Sequence, residues 1–152
     1  MDRFWCWCVV VAWLGLVLGI GGFLRHAITR PAEASWSAYL RVADEALLHR
    51  DGGTARRAWR EAHAAALGDG GWDALVEVGD AALRLESLVG PFEASRAHAR
   101  EAYGQALLRA RAHGSVEGVQ RVAEAFEALG DHDASGQTLA LARDMARQPR
   151  VP

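Results

Sequence analysis

Apolar and polar residues follow two different patterns along the 152 residues of this chain. The segment Phe4–Leu24 contains no charged residue, whereas from Ser35 onward apolar residues recur every three or four positions. A helix over Phe4–Leu24 would rise about 32 Å, which is enough to cross a bilayer core. The later spacing is typical of amphipathic helices, and no run alternates as a β-strand does. The pattern predicts an all-α protein, with an N-terminal transmembrane helix followed by about three stacked helical hairpins.

The apolar segment is predicted to be a single-pass membrane anchor. Trp5 and Trp7 would lie at one interface, and Arg25 ends the apolar run at the other. A cleaved signal peptide, with cleavage after Ala34, is the alternative, but the apolar run is longer than a signal peptide's apolar core. A buried core helix is disfavoured, because the later helices are too evenly amphipathic to surround it. Arginines near the segment's ends favour a cytoplasmic C-terminal domain, with the sidedness left open.

Glycine-marked turns divide the rest of the chain into six predicted helices. Ser35, Thr54 and Ser115 are the predicted N-caps. Glycines at 68–71 are expected to end the second helix, and Gly90-Pro91 the third. The resulting domain organisation is an anchor and flank over 1–30, a connector over 31–34, a repeat domain over 35–147 and a tail over 148–152.

An internal period of 40 residues is the most informative feature of the repeat domain, and it separates Gly90 from Gly130. In each predicted helix pair, the first helix carries bulky apolar residues and the second is rich in alanine. Small residues on the second helix would let successive pairs approach closely. Two registers repeat in all three pairs, namely Ala62, Ala102 and Ala142, and Val42, Ala82 and Val122.

The turn of the third pair, ALGDHDA at 128–134, with Phe126 upstream and Ala142 downstream, resembles the turn between the paired helices of the tetratricopeptide repeat (TPR) family. The middle pair matches through Gly90 and Ala102. In the first pair Arg50 stands in place of the turn glycine. The family's period is about 34 residues, so a HEAT-like or unclassified stack of α-hairpins remains open.

The TPR resemblance implies a concave groove, lined by the first helix of each pair, that binds a protein or peptide partner. The register places five residues on this face: Asp44, Arg84, Ser87, Glu124 and Glu127. Ordinary solvated surface positions are the alternative for each of them.

Composition and motif spacing argue against several other functions. All 17 basic residues are arginine, and with the abundant alanine this bias is typical of a GC-rich bacterial genome. From Pro31 onward 14 arginines face 18 acidic residues, which disfavours nucleic-acid binding. No two histidines stand four apart, no histidine follows an acidic residue by three positions, and no phosphate loop or nucleophile elbow occurs. Cys6 and Cys8 are interpreted as small apolar residues of the anchor. We therefore expect no enzyme activity, catalytic residue, metal, cofactor or small-molecule substrate.

The predicted function is a membrane-anchored adaptor or scaffold for a bacterial membrane or envelope complex. One alternative is an accessory structural subunit that binds through its transmembrane helix, since Gly15-x-x-x-Gly19 would permit close helix packing. The other alternative is a secreted helical-repeat protein produced by signal cleavage.

Overall fold

A computed structural model of the protein describes residues 35–89 and 95–147, which form six α-helices and no strand. The all-α prediction is confirmed for this part of the chain. The predicted anchor, connector and tail, and the Gly90-Pro91 turn, lie outside the described residues. Within the described residues, no helix is long and apolar enough to span a membrane. The helices are α1 (Trp36–Leu48), α2 (Gly52–Asp69), α3 (Asp73–Val89), α4 (Ser95–Ala112), α5 (Val116–Leu129) and α6 (His132–Arg147).

The six helices associate in consecutive pairs. The most extensive contacts are those of α1 with α2, α3 with α4, and α5 with α6. The pairs are joined in chain order, because α2 also packs on α3 and α4 on α5. In addition, α1 contacts α3, and α3 contacts α5. The first helices of the three pairs are therefore neighbours, which brings residues 40 positions apart close together.

The N-termini of the helices bear out the positions of two predicted caps, Ser35 and Ser115, and correct the third. Ser115 caps α5 as predicted, since its hydroxyl accepts a hydrogen bond from the Gly118 N–H at 2.9 Å. Helix α2 begins before Thr54 because Asp51 caps it, accepting from the Thr54 N–H at 3.0 Å. A carboxylate on the residue before Gly52 offers the acceptor earlier than the Thr54 hydroxyl does. Ser35 is the N-cap residue of α1, but its side chain makes no capping hydrogen bond.

The far end of α2 confirms the prediction that glycines at 68–71 end this helix, since it ends at Asp69 with Gly70 as its C-cap in the left-handed region, at a φ of 85°. Arg109 of α4 stabilises this end. Its guanidinium donates hydrogen bonds to the carbonyl oxygens of Ala66, Leu67 and Gly71 at 2.9, 2.7 and 3.0 Å, respectively. Carbonyl groups at a helix C-terminus have no partner inside the helix, so a cation placed there satisfies them and complements the helix dipole.

The residues of the two repeat registers lie in the core, with one exception. The alanine register of the second helices is fully buried, with Ala62, Ala102 and Ala142 at most 1% exposed. In the register of the first helices, Ala82 and Val122 are buried, but Val42 is 50% exposed. The reason is positional, since no helix pair precedes α1 among the described residues to cover that side.

Candidate functional site

Two aromatic residues, Trp59 and Tyr103, fill the seams between helices. The indole N–H of Trp59 on α2 donates to the Val78 carbonyl of α3 at 2.9 Å. Tyr103 on α4 is fully buried, and the edge of Phe126 on α5 meets its ring at a centroid distance of 5.8 Å. A Cβ added at Gly79 of α3 would overlap the Tyr103 ring. Tyr103 therefore packs against two first helices at once.

The contact between α3 and α5, here called the second junction, is closed by a polar network. The Tyr103 hydroxyl donates to Asp80 Oδ1 at 2.6 Å, and the guanidinium of Arg121 donates to Asp80 Oδ2 at 2.8 Å. Burial, together with the hydrogen bond to Asp80 and its negative charge, raises the pKa of Tyr103 far above its usual range. Tyr103 thus remains a neutral donor at every physiological pH. Asp80 receives both a hydroxyl and a cation, which satisfies each of its oxygens.

The contact between α1 and α3, here called the first junction, is open by comparison. Arg84 and Asp44 stand 40 residues apart, and their charged atoms are 3.4 Å apart. Both side chains are about half exposed, at 47% and 51%. A cavity of about 900 Å³ lies beside this ion pair. It is lined by Asp44, Leu47, Leu48, Arg50, Arg84 and Leu88.

Two leucines of this cavity are much more exposed than their size would suggest. Leu48 near the end of α1 is 79% exposed, and Leu88 near the end of α3 is 67% exposed. They occupy the same register, 40 residues apart. Exposed aliphatic side chains grouped around a concavity are a feature of surfaces that bind a partner.

The five residues predicted for the groove fall into two groups. Asp44 and Arg84 are brought together and line the cavity. The other three make contacts elsewhere. The Ser87 hydroxyl donates to the Arg84 carbonyl of its own helix at 2.9 Å, and Glu124 lies 3.9 Å from Arg121 of its own helix.

Glu127 is engaged at the turn from α5 to α6. Its carboxylate lies 2.9 Å from His132 Nδ1, the first residue of α6. The hydrogen bond from His132 lowers the pKa of Glu127, and the same bond and the Glu127 charge raise the pKa of His132. This pair lies across the turn of the third helix pair. It is not among the residues that line the first-junction cavity.

Four of the six residues that line the cavity are not among those predicted for the groove, namely Leu47, Leu48, Arg50 and Leu88. A signal for Leu48 and Leu88 was present, since they match in the 40-residue register and lie outside the apolar stripes of their helices. In the sequence, Arg50 is marked only by its departure from the turn glycine. Its φ of 57° places it in the left-handed region, and it is the one non-glycine residue with positive φ in the described part of the chain.

A second cluster lies between α2 and α4. The rings of His63 and His98 both pack on Trp59, with centroid distances of 5.3 and 5.1 Å. Within the described residues, His63 Nε2 is buried without a hydrogen-bond partner. Burial lowers the pKa of His63, with a smaller opposing effect from Glu101. Residues 35–89 and 95–147 contain no group of three His, Cys, Asp or Glu side chains that could hold a metal ion. The two histidine rings and Trp59 form a packing contact between two helix pairs.

The fold and this surface define an all-α protein built from consecutive helix pairs, with an open cavity between its first two pairs. Comparison with known proteins adds no relative, because no protein-family model, no curated protein and no solved structure matches the chain.

Proposed function

We propose that this protein is a helical-repeat adaptor, similar in organisation to TPR proteins, that binds a protein or peptide partner beside a bacterial membrane. The observation that carries the proposal is the first-junction cavity. It combines an open concave shape, two exposed leucines and charged side chains between two first helices. Surfaces of this kind, with an apolar centre and a polar surround, are typical of protein-binding sites.

The membrane part of the proposal rests on the apolar segment at residues 4–24. In this proposal the segment is a single-pass anchor, and the helical domain faces the cytoplasm. Anchoring confines the adaptor and a membrane-associated partner to a thin layer, so that weak contacts gain effective concentration. The role would be to scaffold or assemble a membrane or envelope complex. It requires no catalytic residue, metal, cofactor, nucleic acid or small-molecule substrate.

The test is capture of the partner from detergent-solubilised membranes by the full chain and by matched full-chain variants, with bound proteins identified by mass spectrometry. In the cavity variant, Arg84→Glu is combined with Leu88→Ser. In the helix variant, Gly15→Leu is combined with Gly19→Leu. Leu108→Ser is the control, because Leu108 is equally exposed, at 67%, but lies on α4 away from the cavity.

The adaptor proposal expects a partner that the wild type, the helix variant and the control all capture and that the cavity variant loses. Loss only in the helix variant would instead support an accessory subunit bound through its transmembrane helix. The mass of the mature protein is measured in the same samples. A chain beginning at Ser35 would overturn the anchor and leave a secreted helical protein.

A further inference from the structure

The backbone of Arg50 is strained at a position where this chain elsewhere uses glycine. Helix α1 ends with the Arg50 N–H bonded to the Leu47 carbonyl and the next N–H bonded to the Ala46 carbonyl. Helix α5 ends in the same way around Gly130, two 40-residue periods later, where φ is 83°. Glycine adopts this left-handed conformation without steric cost, whereas a residue with a Cβ does not. A strained residue at a surface cavity indicates that its side chain has a role there.

The Arg50 side chain brings an uncompensated positive charge to the cavity. Arg50, Arg84 and Asp44 all line its wall, and Arg84 is the partner of Asp44. Within residues 35–89 and 95–147, the guanidinium of Arg50 forms no hydrogen bond or ion pair. The wall of the cavity thus holds two cations and one carboxylate. A carboxylate of a partner would complement this excess charge and could accept two parallel hydrogen bonds from a guanidinium.

The leucines of the cavity favour an aliphatic side chain of the partner beside that carboxylate. Leu48 is two residues before Arg50, and Leu88 occupies the same register on α3. Both leucines are largely exposed, so a partner side chain placed between them would remove apolar surface from water on both molecules. Arginine is also one of the residues enriched at protein interfaces.

We propose that the first-junction cavity binds an acidic–aliphatic segment of a partner protein, with a carboxylate on Arg50 and a leucine-like side chain between Leu48 and Leu88. This inference rests on the proposed function and names the chemistry of the partner. A protein segment fits better than a fatty acid, which carries the same two groups. The cavity is open and its leucines face water, so it does not enclose an acyl chain, whereas a folded partner covers the leucines with its own surface.

The experiment measures fluorescence anisotropy with the full chain in lipid nanodiscs. The probe is a labelled 12-residue peptide that alternates pairs of leucine with pairs of aspartate. Two matched peptides replace either every aspartate by lysine or every leucine by serine. We expect the acidic–aliphatic peptide to bind at least tenfold more tightly than either matched peptide, and its affinity to fall as salt is raised.

The decisive variant is Arg50→Gly, because it removes the guanidinium and at the same time relieves the backbone. We expect it to weaken peptide binding about tenfold or more while the protein unfolds at the same or a higher temperature. Leu48→Ser should weaken binding similarly, because it removes one of the two apolar side chains that would contact the partner. The fold should be unaffected, since Leu48 is largely exposed. Arg111→Ala and Leu108→Ser are the matched controls, because both residues are exposed on α4, and they should bind as the wild type does.

Three outcomes would overturn the inference. They are wild-type binding by Arg50→Gly, equal binding of the lysine peptide, and no binding of the acidic–aliphatic peptide. If dodecanoate binds in an Arg50-dependent way and the peptide does not, the occupant is an acyl chain and not a protein. Failure here is distinguishable from failure of the adaptor proposal. If the peptide fails to bind but capture of a partner from membranes still depends on Arg84 and Leu88, the adaptor proposal stands and the partner has a different chemistry.

Discussion

The first and second junctions occupy equivalent positions in the 40-residue period, yet one is open and the other closed. At the second junction, Asp80 bonds to Arg121 at 2.8 Å and to the buried Tyr103. At the first, Asp44 and Arg84 approach only to 3.4 Å and remain half exposed beside a cavity. Repetition of the helix pairs therefore does not make the contacts at the two junctions alike.

The difference follows from the residues that replace the network one period earlier. Forty residues before Tyr103 stands His63, and forty before Asp80 stands Leu40. A leucine accepts no hydrogen bond, so the histidine packs on Trp59 and no acidic group ties α1 to α3 at that depth. The remaining ion pair is on the surface, where solvent weakens it. The first-junction cavity therefore lies where the polar network of the second junction has no counterpart.

The largest expected effect comes from removing the side chain at the centre of the second junction. Tyr103→Ala should lower the free energy of unfolding by about 3–5 kcal/mol, because it leaves a cavity where a fully buried ring packs against α3 and α5. Urea unfolding followed by circular dichroism measures this. Leu108→Ala on the same helix is the control and should change stability by less than about 0.5 kcal/mol. A small effect of Tyr103→Ala would mean that the second junction is not tighter than the first.

The next largest effect is expected for the acidic residue of the second junction, whose removal should cost more stability than removal of the acidic residue of the first. Asp80→Ala should cost about 1–3 kcal/mol, because the buried Tyr103 hydroxyl loses its acceptor. Asp44→Ala, at the first junction, should cost no more than about 0.5 kcal/mol, since its ion pair is exposed. Parallel urea unfolding of the two variants gives the comparison directly. Equal losses of unfolding free energy in the two variants would contradict the distinction between a closed second junction and an open first junction.

A reciprocal pair of substitutions tests the strain at the first junction. Arg50→Gly should raise the free energy of unfolding by about 0.5–1 kcal/mol, and Gly130→Ala should lower it by about 1 kcal/mol. Residues 50 and 130 both have positive φ, but only position 130 holds a glycine, which adopts that conformation without steric cost. Thermal unfolding of the two variants beside the wild type is the measurement. Destabilisation by Arg50→Gly would show that the arginine supports the fold and would remove the argument from strain.

The smallest expected effect is on the pH dependence of stability, through the buried His63 between α2 and α4. The pKa of His63 is lowered by burial, so below its ordinary value of about 6.5 the unfolded chain binds the proton more readily than the folded chain does. This contribution to stability is complete above that pH and is lost as the pH falls through the folded pKa. His63→Phe should flatten the dependence as the pH falls below about 6.5, whereas Leu108→Ala, which removes no titratable group, should leave it unchanged.

His132 must be separated from this effect, because its pKa is shifted in the opposite direction. Glu127 raises the pKa of His132, so its contribution is fully present below the unfolded pKa and is lost as the pH rises through the folded pKa. The His63 comparison is therefore made with and without His132→Gln. If the slope below pH 7 is unchanged by His63→Phe in both backgrounds, the burial of His63 is not what limits stability in acid.

Several local features were predictable from residues alone. Ser115 was recognised as a cap because a hydroxyl preceded an apolar run, and that requires no tertiary partner. The cap of α2 was assigned to Thr54 and belongs to Asp51, because two neighbouring residues offered acceptors and only the backbone path selects one. The anchor at residues 4–24 and the partner class stay predictions. So does the common groove for Asp44, Arg84, Ser87, Glu124 and Glu127, of which only the first two line the cavity.

The helices, their pairing period and the alanine register follow from the spacing of apolar residues along the chain, since that spacing dictates which side of a helix is apolar. How each junction closes does not follow from spacing. Whether Tyr103 reaches Asp80, whether Val42 is covered, and whether Arg50 faces an open cavity depend on neighbours far away in the chain. Hydrogen bonds and burial are properties of groups brought together in space, and a linear pattern specifies neither their distance nor their exposure to water.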